Sequence, residues 1–196
     1  MRTRAELREQ ILAAARAEFA AYGLAGARID RIARAAEASK ERLYAHFGDK
    51  ETLFREVAAV DGAEFFRAVT VRPDAVPEFV GDIFDLAHSH PAHLRMMTWA
   101  RLEGMEFDAP PGATHDAPAQ AVAAIEAAQA SGHVDPDWNP EDLLVLLFGI
   151  GLAWAHWPDP RGATDAPAEL ARRRAAAVEA AARTVSARQP SSPTTG

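Results

Sequence analysis

At 196 residues the chain can bury the core of one or two domains, and 48% hydrophobic with 25% charged residues is an ordinary globular balance. Without cysteine it has no disulfide, thiolate nucleophile or thiolate-bound metal. The net charge of −7 weighs against a nucleic-acid partner until it is divided: residues 1–55 hold 11 Lys/Arg against 8 Asp/Glu, and the rest hold 10 against 20. One end is therefore suited to meet phosphate, and the acidic body behind it is suited to something else.

The charged start MRTRAELREQ runs straight into an amphipathic pattern, which is not how a signal peptide reads. Thr3-Arg4-Ala5-Glu6 is a capping-box pattern, and Leu7, Ile11, Ala15, Phe19 and Tyr22 recur at helical spacing up to Gly23, where the first helix is expected to end. A second short helix covers about Arg28 to Ala36, with Ile29, Ile32, Ala33 and Ala36 inward. After a tight turn at Glu37-Ala38, Ser39 can cap a third helix whose apolar anchors are Leu43 and Phe47 and whose other tips are Lys40, Arg42, Tyr44 and His46. A helix this short cannot stand alone in water, so it must pack on its neighbours and offer its polar tips outward. Asp49 is placed to cap a long fourth helix through Leu53, Phe54, Val57, Phe65, Phe66 and Val69, with Gly62 a candidate bend.

Beyond Arg72-Pro73 the spacing predicts helices over about 75–89, 91–104, 117–131, 140–156 and 166–188. Asn139-Pro140 and Asp165-Ala166-Pro167 are helix starts, each with a capping side chain ahead of a Pro in the first turn. Phe107 to Pro118 and Trp157 to Ala163 read as loops, and the tail 189–196 as disordered. Nothing reads as a strand.

The first three helices make a helix-turn-helix. The span from about Ile11 to Phe54 resembles the DNA-binding domain of TetR-family transcriptional regulators. The matching features are Phe19 and Tyr22-Gly23, Ile32-Ala33, and Ser39-Lys40…Leu43-Tyr44-x-His46-Phe47…Lys50-Glu51-x-Leu53-Phe54. Three positions depart from the family's pattern. Arg28 stands where Thr or Ser usually caps the second helix, Glu37 where the turn usually has Gly, and Glu41 where a small residue is common. The resemblance, with side-chain chemistry, implies a DNA-contacting set of Arg28, Ser39, Lys40, Glu41, Arg42, Tyr44, His46 and Lys50. Arg42 and Lys40 suit base edges, since Arg pairs bidentately with guanine O6 and N7, and Glu41 can accept from cytosine N4. Tyr44, His46 and Lys50 resemble the family's phosphate contacts, which set register without carrying sequence information.

The same resemblance implies that the body holds a dimer interface and a small-ligand pocket. Leu143 to Leu152 is apolar nearly all round and is expected to be buried on every side. This helix and the last one, residues 140–156 and 166–188, are the expected homodimer interface. Phe84, His88, Met96, Trp99, Leu102, Glu103, Phe107, Phe148 and Trp154 are candidates to line the pocket. His88, His90 and His93 form an H-x-H-x-x-H cluster, but Pro91 starts a new helix inside it and no carboxylate pattern completes it, so a solvated junction is expected and no metal. There is no G-x-S-x-G, no P-loop and no G-x-G-x-x-G before a helix. The apolar run from Leu143 to Trp157 falls short of the roughly 20 residues a bilayer requires.

The expectation is an all-α chain: a helix-turn-helix domain over 1–48, a helical ligand-binding and dimerisation domain over 49–188, and a tail over 189–196. It would work in the cytoplasm, away from membranes, without cofactor or catalytic residues. As a homodimer it would bind palindromic operator DNA, most simply as a repressor released by a small ligand of unknown identity. The rival reading is a DNA-binding regulator whose body only dimerises or binds a protein partner.

Overall fold

The computed structural model describes residues 3–105, 117–157 and 166–186, and all of their regular structure is helical. The helices are α1 (Arg4–Gly26), α2 (Ile29–Ala35), α3 (Lys40–Phe47), α4 (Lys50–Ala68), α5 (Val76–Ser89), α6 (Pro91–Leu102), α7 (Ala117–Ala130), α8 (Pro140–His156) and α9 (Pro167–Val185). They fall into two compact units: the described residues within Met1–Arg67 and Ser89–Thr114, and those within Ala68–His88 and His115–Gly196. The units do not follow a cut at residue 48. Nearly all of α4, and α6 from farther down the chain, belong with the first three helices. Phe107, the body of both expected loops and the tail lie outside the described residues.

In the first unit, Thr3 and Glu6 close the capping box reciprocally: the Glu6 N–H donates to Thr3 Oγ1 at 3.2 Å, and the Thr3 N–H to Glu6 Oε2 at 2.7 Å. Leu7, Ile11, Ala15 and Phe19 then form the buried stripe. Helical geometry does break at Gly23 (φ 65°, ψ −176°), but one more turn runs on to Gly26, so the helix does not end where the sequence pattern stops it. Gly23 is required twice over. Its φ is left-handed, and a Cβ there would lie 2.9 Å from Trp99 Cε3.

The core of this unit joins Ile11, Phe19, Ile32, Leu43, Leu53, Phe54 and Val57 with Met96 and Ala100 from α6. Phe19 and Phe54 meet edge to face with ring centroids 5.0 Å apart. Burying each such side chain is worth about 1.5–3 kcal/mol, and Leu43 with Phe47 supplies this for the eight-residue α3. Gly62 is buried within an unbroken α4, which fits close packing better than a bend.

In the second unit α5 buries Val76, Phe79, Val80, Ile83 and Phe84. The Asn139 side chain accepts the Glu141 and Asp142 N–H groups at 2.9 and 3.1 Å, which starts α8 as its Asn-Pro pattern predicts. Gly151 of α8 lets Ile83 approach, since a Cβ there would lie 2.6 Å from Ile83 Cγ2. Phe79 stands edge-on to Phe148, and Phe84 to Trp154. On α9, Ala177, Ala181 and Val185 are buried, while Arg174 lies over Gly81 and donates to Asp85 Oδ2 at 2.7 Å. Within the chain described, α8 is buried on one side. Leu143, Leu144, Leu147 and Gly151 face inward, and Val145 is 70% exposed.

Candidate nucleic-acid interface

α2 and α3 meet through a turn at Glu37, whose φ of 49° is the left-handed conformation that Gly adopts at no steric cost. The Glu37 N–H closes the turn on the Arg34 carbonyl and the Ala38 N–H on that of Ala33, at 3.1 and 2.9 Å. Ser39 then starts α3, its Oγ accepting the Arg42 N–H at 3.3 Å. Leu43 and Phe47 are buried against the core. The opposite side carries Arg42 and Tyr44, both exposed, and His46 is half-buried with its ring against Phe47.

The eight expected contact residues differ in what else they do. No described residue forms an ion pair or hydrogen bond with the Arg42 guanidinium, so it is free to reach outward. Lys40 is paired instead: its Nζ lies 2.5 Å from Asp30 Oδ1, and this contact raises the ammonium pKa and lowers that of the carboxyl. The Glu41 carboxylate is held at the start of its own helix by its backbone N–H and the Ser39 hydroxyl, which lower its pKa. Lys50 at the start of α4 donates from Nζ to the Ala27 carbonyl at 3.4 Å, which sets an ammonium beside the start of α2. The Arg28 side chain makes no capping bond, as its chemistry dictates.

What replaces that cap is a residue that the sequence reading did not single out. Glu18, buried on α1, accepts the Arg28 backbone N–H at 2.8 Å and the Arg31 Nε–H at 2.7 Å on the same oxygen. Burial pushes its carboxyl up, but the bonds from Arg31 and Arg28 and their charges outweigh this and hold it below the usual range. Arg31 also stacks on the Tyr22 ring at 4.3 Å and donates to the Gly26 carbonyl at 3.0 Å. This hub fastens α2 to α1. Its signal in the sequence is a carboxylate at the i+3 and i+7 positions from the buried Ala15 and Ile11, where an apolar residue belongs.

The expected pocket residues among those described are divided between the two units. Met96 is fully buried and Trp99 partly buried in the core of the first unit, because α6 turns this side onto α1. Leu102, in the last turn of α6, is 72% exposed, and Glu103 after it is exposed too. Phe84, His88, Phe148 and Trp154 belong to the second unit, where the Phe84 and His88 rings lie 4.2 Å apart. Of the three clustered histidines, His90 and His93 meet edge to face with ring centroids 5.3 Å apart. His88 Nδ1 faces the Phe84 carbonyl at 3.0 Å, and His90 Nδ1 faces Ser89 Oγ at 2.8 Å. No described helix is long and apolar enough to cross a membrane.

A cationic three-helix unit that turns a short, packed helix outward defines a helix-turn-helix regulator. Residues 11–57 match the model for bacterial regulatory proteins of the tetR family, and residues 75–183 match the tetracyclin repressor-like C-terminal domain. The HTH-type transcriptional repressor SCO4008 of Streptomyces coelicolor is 37% identical over 153 residues, 76% of each chain. The HTH-type transcriptional repressor AcnR of Corynebacterium glutamicum is 40% identical over 63 residues, 32% of this chain and 34% of that one. Among solved structures, the transcriptional regulator candidate SCO4942 of S. coelicolor matches with a TM-score of 0.78 and 36% identity, over 90% of this chain and 96% of that one. A tetR-family regulatory protein from Rhodococcus RHA1 shares the fold at a TM-score of 0.71 and 20% identity, over 93% of this chain and 98% of that one. The chain belongs to the TetR family of transcriptional regulators, which bind DNA and are not enzymes.

Proposed function

We propose that the protein is a repressor that binds palindromic operator DNA as a homodimer and releases it when a small ligand enters the second unit. The observation that carries the reading is the division of α3: Leu43 and Phe47 anchor it in the core, and Arg42 and Tyr44 stand exposed on its other side. Arg42 reads a base edge, Tyr44, His46, Lys50 and Arg28 hold phosphates, and Ser39, Lys40 and Glu41 shape the start of the helix between them. The repressor relatives support the sign of regulation.

Dimerisation is supported by the exposed side of α8. Val145, Leu146, Gly149 and Ala153 lie open there, and next to them an open groove of about 440 Å³ is lined by Leu146 and Ile150 of α8 and by Arg183 and Thr184 of α9. A second copy of the same two helices covers such a face isologously. Ligand response is supported by the ring cluster of Phe84, His88 and Trp154 in the second unit. A ligand there acts only through its different affinity for the DNA-competent and incompetent arrangements. The rival reading, a body that dimerises without a ligand, is favoured by the packing of Met96 and Trp99 into the first core.

Selection from random duplexes tests the proposal. It is expected to enrich a palindrome with half-sites one helical turn, about 34–36 Å, or a multiple of it apart. Enrichment of no sequence, or of a single asymmetric one, overturns it. Repeating the selection with a small-molecule cell extract separates the two readings of the body, since only the first predicts release.

A further inference from the structure

His93, whose ring also meets that of His90 edge to face with centroids 5.3 Å apart, faces the carboxylates of α4. One ligand atom each from Asp61, Glu64 and His93 lies within 4.8 Å of the other two. Asp61 is fully buried, and its two oxygens differ. Oδ1 accepts Arg16 Nε–H at 2.6 Å, while Oδ2 is buried with no hydrogen-bond partner among the described residues. An orphaned, buried carboxylate oxygen is costly unless something pairs with it.

The remaining partners fit a cation better than another hydrogen bond. His93 Nδ1 lies 3.8 Å from Glu64 Oε2, too far to bond it directly. Arg16 reaches Glu64 Oε2 at 3.5 Å as well as Asp61, the outer partner that ligating carboxylates usually have. Glu64 is 42% exposed, which opens a path from solvent.

We propose that Asp61, Glu64 and His93 form a binding site for a divalent transition cation, a one-nitrogen, two-oxygen set of the kind that takes Zn²⁺ with water in the fourth position. Ligand atoms around tetrahedral zinc stand about 3.3–3.5 Å apart, so binding asks these three side chains to close in from separations of at most 4.8 Å. The cation braces the first unit where α1, α4 and α6 meet.

The test is equilibrium dialysis of the full chain against Zn²⁺, with Co²⁺ absorption reporting the coordination geometry. The parent is expected to hold one Zn²⁺ per chain. Glu64→Gln and His93→Gln, checked for native helicity by circular dichroism, should each weaken binding at least about tenfold. His156→Gln on α8 should bind as the parent does. A parent that holds no Zn²⁺ at micromolar concentration, or folded Glu64→Gln and His93→Gln variants that bind as tightly as it does, overturns the site.

Discussion

Glu18→Ala is the sharpest test of how the helix-turn-helix is held together. The substitution removes a bond from a guanidinium at 2.7 Å and one from a backbone N–H at 2.8 Å, both to a charged acceptor. Hydrogen bonds to charged groups contribute about 1.5–3 kcal/mol each. Arg31 is 36% exposed and recovers some hydration once its partner is gone, so the expected net loss is about 2–4 kcal/mol. For a chain of this size that lowers Tm by roughly 5–15 °C in a calorimetric or circular-dichroism melt. Glu18→Gln keeps the acceptor oxygen without the charge and should lose about half as much. The pH dependence has a definite sign. The folded pKa of Glu18 lies below its ordinary value of 4.5, so its contribution is complete above that pH and is lost as pH falls through the folded value. The gap between parent and variant should therefore close in acid. If Glu18→Ala melts within about 2 °C of the parent at neutral pH, the hub does not fasten α2 to α1 and this reasoning fails.

Glu37→Gly and Glu37→Ala both delete the carboxylate at the turn, but only Gly suits a φ of 49°. A left-handed L-residue costs about 1–2 kcal/mol and the freer unfolded Gly returns about 0.4–1, so the Gly variant should be the more stable of the two by about 0.5–1 kcal/mol in urea titration. Equal midpoints would contradict the strain. Lys50→Ala should weaken binding to every duplex and lower the slope of log K against log salt by about 0.9, one phosphate contact; an unchanged slope removes Lys50 from that role. Val145→Glu places a charge on the open side of α8, where the single chain gives it room. Sedimentation at micromolar concentration should show a dimer for the parent and a monomer for the variant. A variant that stays dimeric places the interface elsewhere.

The helices were legible because their signals are local. Thr3 with Glu6, Asp49, Asn139-Pro140 and Pro167 each act within four residues, and all mark helix starts in the structure. The DNA-facing helix was legible for the same reason: Ser39, Leu43 and Phe47 settle which side of α3 packs. What stayed hidden depends on residues far apart in the chain. That Arg28 has its backbone N–H satisfied by Glu18, that Lys40 is held by Asp30, and that α6 joins the first core are all products of tertiary packing. The extra turn after Gly23 was missed because Trp99, which lies against it, comes 76 residues later. What covers each face of α8 was not legible, because an all-apolar helix does not say whether its own chain or another one lies against it.

The central claim is that α3 reads DNA through Arg42. Binding of the parent and of Arg42→Ala to every single-base variant of the selected site, at one fixed salt concentration, tests it most directly. The expected result is a loss of about 1–3 kcal/mol confined to one position of each half-site, with preference among the four bases relaxed there. A variant that keeps the parent's base preferences at every position, whatever its affinity, would contradict it.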